Sequence, residues 1–98
     1  MNQEISLTPT QKVSLIENVL IQELAGESVL LHLDSEQYFG LDEMGTHMLS
    51  ILKESESIQV ACDHLLQEYE AQPEQIQQDL LDLVAQLAQH DLVQITGS

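Results

Sequence analysis

The hydrophobic residues of this chain change their spacing near residue 42, and that change limits the folds the chain can adopt. Before it, apolar residues recur at every second position, as at Val29, Leu31 and Leu33, which is the period of a β-strand. After it, apolar residues recur every three or four positions, as at Met44 and Met48, which is the period of a helix. The chain is therefore expected to place its strands first and its helices second.

Three short strands are predicted in the first half, over Val19–Leu24, Ser28–Leu33 and Tyr38–Leu41. The connection Ala25–Glu27 contains a glycine, which is typical of a hairpin turn. The polar segment Asp34–Gln37 forms the second turn. Because both connections are short, we expect a three-stranded antiparallel meander.

Three helices are predicted after the meander. Asp42 is a suitable N-cap for the first helix, and Ser55 or Ser57 for the second. Pro73 fits the first position of the third helix. One face of that helix carries aliphatic residues at helical spacing: Ile76, Leu80, Val84 and Leu87. The segment Leu92–Ile95 is expected to close the chain as a short apolar tail.

The expected fold class is α+β, a winged helix-turn-helix-like arrangement in which the three-stranded meander precedes the three helices. We predict one domain over residues 13–96, preceded by a flexible N-terminal arm over residues 1–12. Such a fold normally suggests DNA binding. The chain, however, carries 17 acidic residues against two lysines and no arginine, for a net charge of -15. That balance excludes nucleic acid and disfavours an anionic membrane surface as partners.

The compartment expected from the sequence is the cytoplasm. Cys62 is the only cysteine, so no internal disulfide can form. No basic and then apolar segment resembles a signal peptide, and no apolar run is long enough to span a bilayer.

No spacing of residues in the chain indicates a catalytic or metal site. The histidines lie far apart, so none pair at the helical spacing of metal ligands: His32, His47, His64 and His90. Cys62 and His64 are two residues apart, which points them to different sides of a helix. We therefore predict a protein that is not an enzyme and has no cofactor and no metal.

An acyl carrier protein is one alternative, because such proteins are also short and acidic. They attach phosphopantetheine to the serine of an Asp-Ser-Leu motif. Asp34 and Ser35 are present here, but Glu36 follows, and the pair lies in a turn between strands. A second alternative is peptide binding: an edge strand at Tyr38–Leu41 could take up an extended peptide, unless the N-terminal arm covers it.

Two segments of this sequence resemble the PqqD-like family. They are Leu24–Leu33, with the sequence LAGESVLLHL, and Tyr38–Thr46, with the sequence YFGLDEMGT. The family pattern continues through the second half at scattered positions, so that the likeness covers roughly residues 15–95: Leu65, Glu68, Tyr69, Pro73, Asp79, Leu80, Leu87 and Leu92. The nearest resemblance is to the stand-alone leader-binding proteins of lasso-peptide biosynthesis, which are RiPP recognition elements.

The resemblance implies that the chain binds the N-terminal leader of a ribosomally made precursor peptide, which adds as a strand beside the third strand. It also implies two protein partners, a transglutaminase-like cysteine peptidase that removes the leader and a cyclase, and no catalytic residues in the chain itself. A PqqD proper, which acts as a chaperone for a radical-SAM enzyme, remains an alternative.

The residues expected to contact the peptide lie on the third strand and the third helix: Gln37, Tyr38, Phe39, Gly40, Leu41, Asp79, Leu83 and Gln86. The backbone of Tyr38–Leu41 would supply hydrogen bonds, with Gly40 allowing close approach. Phe39 and Leu41 are expected to face the core, and Tyr38 to face outward.

The third helix offers two flanks beside its core stripe. Asp79, Leu83 and Gln86 form the favoured flank, because the leucine would give an apolar floor between two polar side chains. The opposite flank carries Gln77, Leu81 and Ala88. Leu83 fits an ordinary core position equally well, and Asp79 fits a solvated charge.

Overall fold

The computed structural model describes residue 8 and residues 10–97. Within them the chain forms strands and helices in this order: β1 Lys12–Leu15, β2 Val19–Leu24, β3 Glu27–His32, β4 Gln37–Leu41, α1 Glu43–Glu54, α2 Ile58–Glu68, α3 Pro73–Gln89 and β5 Val93–Thr96. Strands β2, β3 and β4 form an antiparallel sheet in that order, which we call the meander. The α+β prediction, with a meander followed by three helices, is confirmed.

The turn between β2 and β3 is tighter than the sequence suggested. Only Ala25 and Gly26 lie outside the strands, and their φ angles are +56° and +85°. Two consecutive positive φ values define a type I′ turn, whose twist matches that of the flanking strands. Glu27, which was assigned to the turn, is the first residue of β3 and pairs with Leu24. Likewise Gln37 belongs to β4 instead of the second turn.

The helices begin where their capping residues place them. The Asp42 side chain accepts a hydrogen bond from the Gly45 backbone N–H at 2.8 Å, and the Ser57 hydroxyl accepts one from Val60 at 3.2 Å. Of the two serines considered for the second cap, Ser57 is therefore the N-cap. Ser55 ends α1, where its hydroxyl donates to a carbonyl oxygen one turn earlier.

The core lies between the inner face of the meander and the three helices. The stripe predicted on α3 is confirmed, since Ile76, Leu80, Val84 and Leu87 are all buried. Leu30 is the central residue of the meander in this core and is fully buried. A buried hydrogen bond of 2.7 Å between the hydroxyls of Ser28 and Thr46 links the meander to α1.

A second sheet joins the two ends of the described chain, and the sequence reasoning missed it. Strand β1 pairs with β5 in antiparallel register from Lys12–Thr96 to Leu15–Val93. The segment predicted as an apolar tail is therefore largely a strand. We call this pair the terminal ribbon.

The terminal ribbon also changes the predicted N-terminal arm. The Ile58 N–H donates to the Gln11 carbonyl at 2.8 Å, and the Lys12 ammonium donates to the Ser55 carbonyl at 2.7 Å. Gln11 and Lys12 are thus held against the helices and do not belong to a loose arm. Most of the remaining predicted arm, residues 1–7 and 9, lies outside the described residues.

Candidate functional site: a strand edge and a groove

Strand β4 lies at the edge of the meander, with β3 as its only partner among the described residues. Along two antiparallel strands, directly opposed residues alternate between pairs that exchange backbone hydrogen bonds and pairs that do not. One known hydrogen bond therefore determines the pattern for the whole pair of strands. The Leu33 N–H donates to the Asn18 carbonyl at 2.9 Å, which directs the backbone groups of odd-numbered β3 residues toward β2. The even-numbered residues of β3 therefore bond to β4, as in the pair Leu30–Phe39.

This alternation decides which groups of β4 are open. Gln37, Phe39 and Leu41 direct their N–H and C=O groups to β3, whereas Tyr38 and Gly40 direct theirs away from the sheet. The expectation that all of Tyr38–Leu41 would offer backbone hydrogen bonds is therefore wrong for Phe39 and Leu41. The edge presents two donors and two acceptors, spaced as an additional strand requires.

The side chains of β4 point as predicted. Leu41 is buried and Phe39 is half-buried on the inner face, while Tyr38 is 73% exposed on the outer face. The Phe39 ring packs against the ring of His90, with centroids 4.9 Å apart. This contact holds the edge of the meander next to the C-terminal end of α3.

A groove of about 470 Å³ runs between β4, the start of α1 and α3. The favoured flank of α3 lines it, as the sequence predicted: Asp79, Leu83 and Gln86. The residues of the opposite flank do not. Leu83 is only 8% exposed, so it belongs to the core and to the floor of the groove at once. Of the predicted strand residues, Phe39, Gly40 and Leu41 line the groove, and Gln37 and Tyr38 do not.

Five residues that line the groove were not predicted from the sequence: Asp42, Met44, Gly45, Met48 and Asp82. Met44 and Met48 reach the groove from α1, and Asp82 reaches it from α3. Met48 is 3% exposed, while Met44 is 41% exposed. Thioether side chains adapt to irregular apolar partners, so these residues give the groove a deformable wall. The helical face shared by the two methionines was visible in the sequence, but not that it would meet β4.

The rim of the groove is acidic. Asp42, Asp79 and Asp82 line it, and neither lysine of the chain does. Two of these carboxylates accept hydrogen bonds from glutamine side chains one turn earlier, Asp79 from Gln75 and Asp82 from Gln78, each at 2.9 Å. Such bonds orient the carboxylates without neutralising them. The groove therefore favours cationic or neutral polar ligands over anionic ones.

No catalytic arrangement stands out among the described residues. No group of three His, Cys, Asp or Glu side chains is placed to hold a metal ion there. Burial raises the pKa of the Cys62 thiol, and the charge of Asp63 acts in the same direction. A buried thiol with a raised pKa is a poor nucleophile. The His47 ring bonds to the Glu68 carboxylate at 2.8 Å, which links α1 to α2.

The position of Ser35 differs from that of the modified serine of an acyl carrier protein. Ser35 lies in the loop between β3 and β4, where its N–H donates to the His32 ring at 3.3 Å, and not at the start of a helix. In the part of the chain that the structure describes, none of the helices has the length and apolar character needed to cross a membrane.

Solved structures of other proteins share the fold of this chain. TbiB1, solved in complex with the TbiA(beta) leader peptide, is 29% identical to this chain, with a TM-score of 0.78, 87% of this chain covered and 99% of that one. Lasso peptide synthetase B1, solved with a leader peptide, is 20% identical, with a TM-score of 0.77 and coverages of 85% and 98%. The latter similarity shows the shared fold alone. No curated protein matches the chain.

The family model described as coenzyme PQQ synthesis protein D (PqqD) matches residues 27–93. This segment runs from the start of β3 to the start of β5, and so includes β4, the three helices and every groove residue. The resemblance noted in the sequence is confirmed by this match. The chain belongs to the PqqD family.

Proposed function

We propose that this protein binds the N-terminal leader of a ribosomally made precursor peptide as an added strand on β4. It carries out no chemistry itself and presents the leader to a separate peptidase and a cyclase, in lasso-peptide or related RiPP biosynthesis. The observation that carries the proposal is the open edge of β4, where Tyr38 and Gly40 direct their backbone groups outward beside the groove.

The geometry suits an extended peptide. A strand added about 4.8 Å from β4 would exchange hydrogen bonds with Tyr38 and Gly40. Peptide residues opposite Phe39 and Leu41 would then direct their side chains toward the groove, whose floor is formed by Leu83 and Met48. Backbone hydrogen bonds would supply affinity for any extended peptide, and the groove would select among peptides by their side chains.

The nature of the peptide is supported by similarity. TbiB1, which shares 29% of its residues with this chain over almost its whole length, was solved with a leader peptide. A groove with an apolar floor and an acidic rim suits a leader that places apolar side chains next to basic ones.

A surface for the partner enzyme adjoins this site. Outward-facing residues of the meander and its flank form an exposed apolar face: Leu20, Leu24, Val29, Leu33 and Tyr38. Apolar faces of this kind mark interaction sites. A leader strand on β4 would extend this face by one strand, so an enzyme docked there would contact the protein and the leader together. We assign the part of this face around Leu20, Leu33 and Tyr38 to the leader peptidase, whose contacting surface should be apolar and ringed by basic residues.

The second candidate is a PqqD-type chaperone that presents its peptide to a radical-SAM enzyme. The family match to PQQ synthesis protein D favours it. Both candidates use the same strand edge and differ in the enzyme that receives the peptide. The genes beside the one for this protein separate them: a transglutaminase-like peptidase with an asparagine-synthetase-like cyclase supports the first, and a radical-SAM enzyme supports the second.

The test of leader binding uses synthetic peptides. The N-terminal halves of the short open reading frames next to the gene are labelled and titrated with the protein by fluorescence anisotropy. We expect one of them to bind with micromolar or better affinity, while the C-terminal half of the same precursor does not bind. A precursor whose two halves both fail to bind would contradict the proposal.

A further inference from the structure

Gly40 is the one glycine of the chain whose presence the fold does not explain. Gly26 and Gly97 have φ angles of +85° and +91°, where other residues are strained. A Cβ at Gly45 would lie 3.2 Å from the Leu41 side chain. At Gly40 the φ angle is not positive, and a Cβ would meet nothing within 4 Å. Any strand-forming residue would fit there.

Glycine at this position has a cost. In a strand it loses more conformational entropy on folding than other residues and has no side chain to pack. A β-branched residue at the same place would favour the strand. A glycine that weakens its own strand without a steric reason inside the chain often marks the approach of a ligand.

The missing side chain leaves a depression on the outer face of the meander. Its volume is about 540 Å³, and it is bordered by Gln22 and Leu24 from β2 and by Glu27 and Val29 from β3. Val29 is the residue paired directly with Gly40. We call this depression the Gly40 notch.

The position of the notch relative to the open edge is informative. Gly40 directs its backbone groups away from β3, so a peptide residue bonded to it would lie directly opposite. Side chains of directly opposed residues lie on the same face of a sheet. The side chain of that peptide residue would therefore stand on the outer face, next to the notch and not in the groove.

We propose that the Gly40 notch receives a large apolar or aromatic side chain of the bound leader, which lies across Gly40 onto Val29. This inference rests on the proposed leader binding and extends it. The peptide strand and β3 lie two strand spacings apart, roughly 9.6 Å, so only a long or aromatic side chain spans the gap. The leader is thus read on both faces, by the groove on one side and by the notch on the other.

A simpler reason for the glycine would be close approach of the peptide backbone. Close approach does not explain the glycine, because a Cβ at Gly40 would project from the face of the sheet and not from its edge, where the peptide backbone would lie. A neighbouring strand does not need glycine to pair with β4. The space left at Gly40 can be used only by a side chain that lies over the outer face of the sheet.

The experiment uses a display library of randomised linear peptides, selected in parallel on the wild-type protein, on Gly40→Val and on Gly40→Ala. Leu20→Val is the matched control, since it places the same side chain on the same face of the meander but outside the notch. Circular dichroism and urea unfolding of each variant check the fold. We expect Gly40→Val to be at least as stable as the wild type, because valine favours strands.

On the wild type we expect one peptide position to be enriched in large apolar or aromatic residues. On Gly40→Val that preference should shift to small residues while the other positions keep theirs, and Gly40→Ala should be intermediate. The best wild-type peptide, made synthetically, should lose about tenfold in affinity on Gly40→Val. Its version with alanine at the enriched position should lose no affinity on that variant.

Three other outcomes would contradict the notch or the leader binding. Enriched peptides with the same preference at every position on wild type and Gly40→Val would overturn the notch and leave leader binding intact. The same shift in Leu20→Val would also overturn it, because the effect would then not be specific to Gly40. No enrichment on the wild type would contradict the proposed leader binding, and the notch with it.

Discussion

The two sheets of this protein are built from similar residues but differ in what they leave open. In the terminal ribbon, Val13 and Val93 are buried against the helices, and Lys12 donates its ammonium to a helical carbonyl. In the meander, Leu24 is 80% exposed and Tyr38 is 73% exposed. The ribbon completes the fold, whereas the meander keeps an edge and a face accessible. We therefore expect stability to depend mainly on the ribbon and the proposed binding mainly on the meander, so changes in the two sheets should have different effects.

The largest effect is expected in the terminal ribbon. Val13 is 1% exposed, so Val13→Asp would bury a carboxylate among apolar side chains. We expect it to lower the free energy of unfolding by about 3 kcal/mol or more. Urea denaturation followed by circular dichroism measures the change. The neighbour Ser14 points to the other face of β1, so Ser14→Asp is the control and should change stability by less than about 1 kcal/mol. Equal losses in both variants would contradict the assigned role of the ribbon.

The next effect concerns binding at the edge of the meander. Proline lacks an N–H and is tolerated in edge strands where that N–H faces solvent. Tyr38→Pro should therefore weaken peptide binding by about 2 kcal/mol, through a lost hydrogen bond and a blocked edge, beyond the effect of Tyr38→Ala. Isothermal titration calorimetry with the leader peptide measures it.

Phe39→Pro is the counterpart of that variant. The N–H of Phe39 faces β3, so its loss should lower stability by about 3 kcal/mol. If Tyr38→Pro destabilised the fold as much as Phe39→Pro, the assignment of outward and inward groups on β4 would be wrong.

A smaller effect is expected from the wall of the groove. Met44 is 41% exposed and lines the groove, so Met44→Gln should keep the fold and weaken leader binding by about 1 kcal/mol. Leu20→Gln provides the comparison, because Leu20 is 55% exposed on the outer face of β2 and lies outside the groove. Titrations in which the two variants weaken binding equally would contradict a specific role for the groove.

The smallest effect is electrostatic. Asp79→Asn keeps the acceptor for Gln75 and removes one negative charge from the rim of the groove. We expect the association rate of a basic leader to fall about twofold at low salt, with the difference vanishing at high salt. Asp63→Asn is the matched control, since Asp63 accepts the same type of bond from Gln59 on α2 but does not line the groove. Stopped-flow fluorescence measures both, and an equal change in the control would show a general charge effect.

The sequence predicted the parts of this fold that depend on nearby residues. The caps at Asp42 and Ser57 and the aliphatic stripe of α3 are local patterns, and the structure contains them. The terminal ribbon could not be predicted in the same way. Its strands are short, come from opposite ends of the described chain and mix apolar residues such as Val13 with polar ones such as Gln94.

The groove was predictable in part. Helical spacing placed Asp79, Leu83 and Gln86 on one flank of α3, but the contribution of Met44 from α1 depends on how the helices pack. The outward groups of β4 depend on the turn between β2 and β3. A three-residue connection would have set a different alternation, whereas the structure has a two-residue turn with positive φ at Ala25 and Gly26.

The central claim is that an extended peptide adds to β4, and amide hydrogen exchange measured by NMR tests it most directly. Without peptide, the N–H groups of Tyr38 and Gly40 should exchange quickly and those of Phe39 and Leu41 slowly. Saturating leader peptide should slow exchange at Tyr38 and Gly40, while Ile21 on the far edge of the meander stays unchanged. A leader peptide that binds tightly while Tyr38 and Gly40 still exchange quickly would contradict the account.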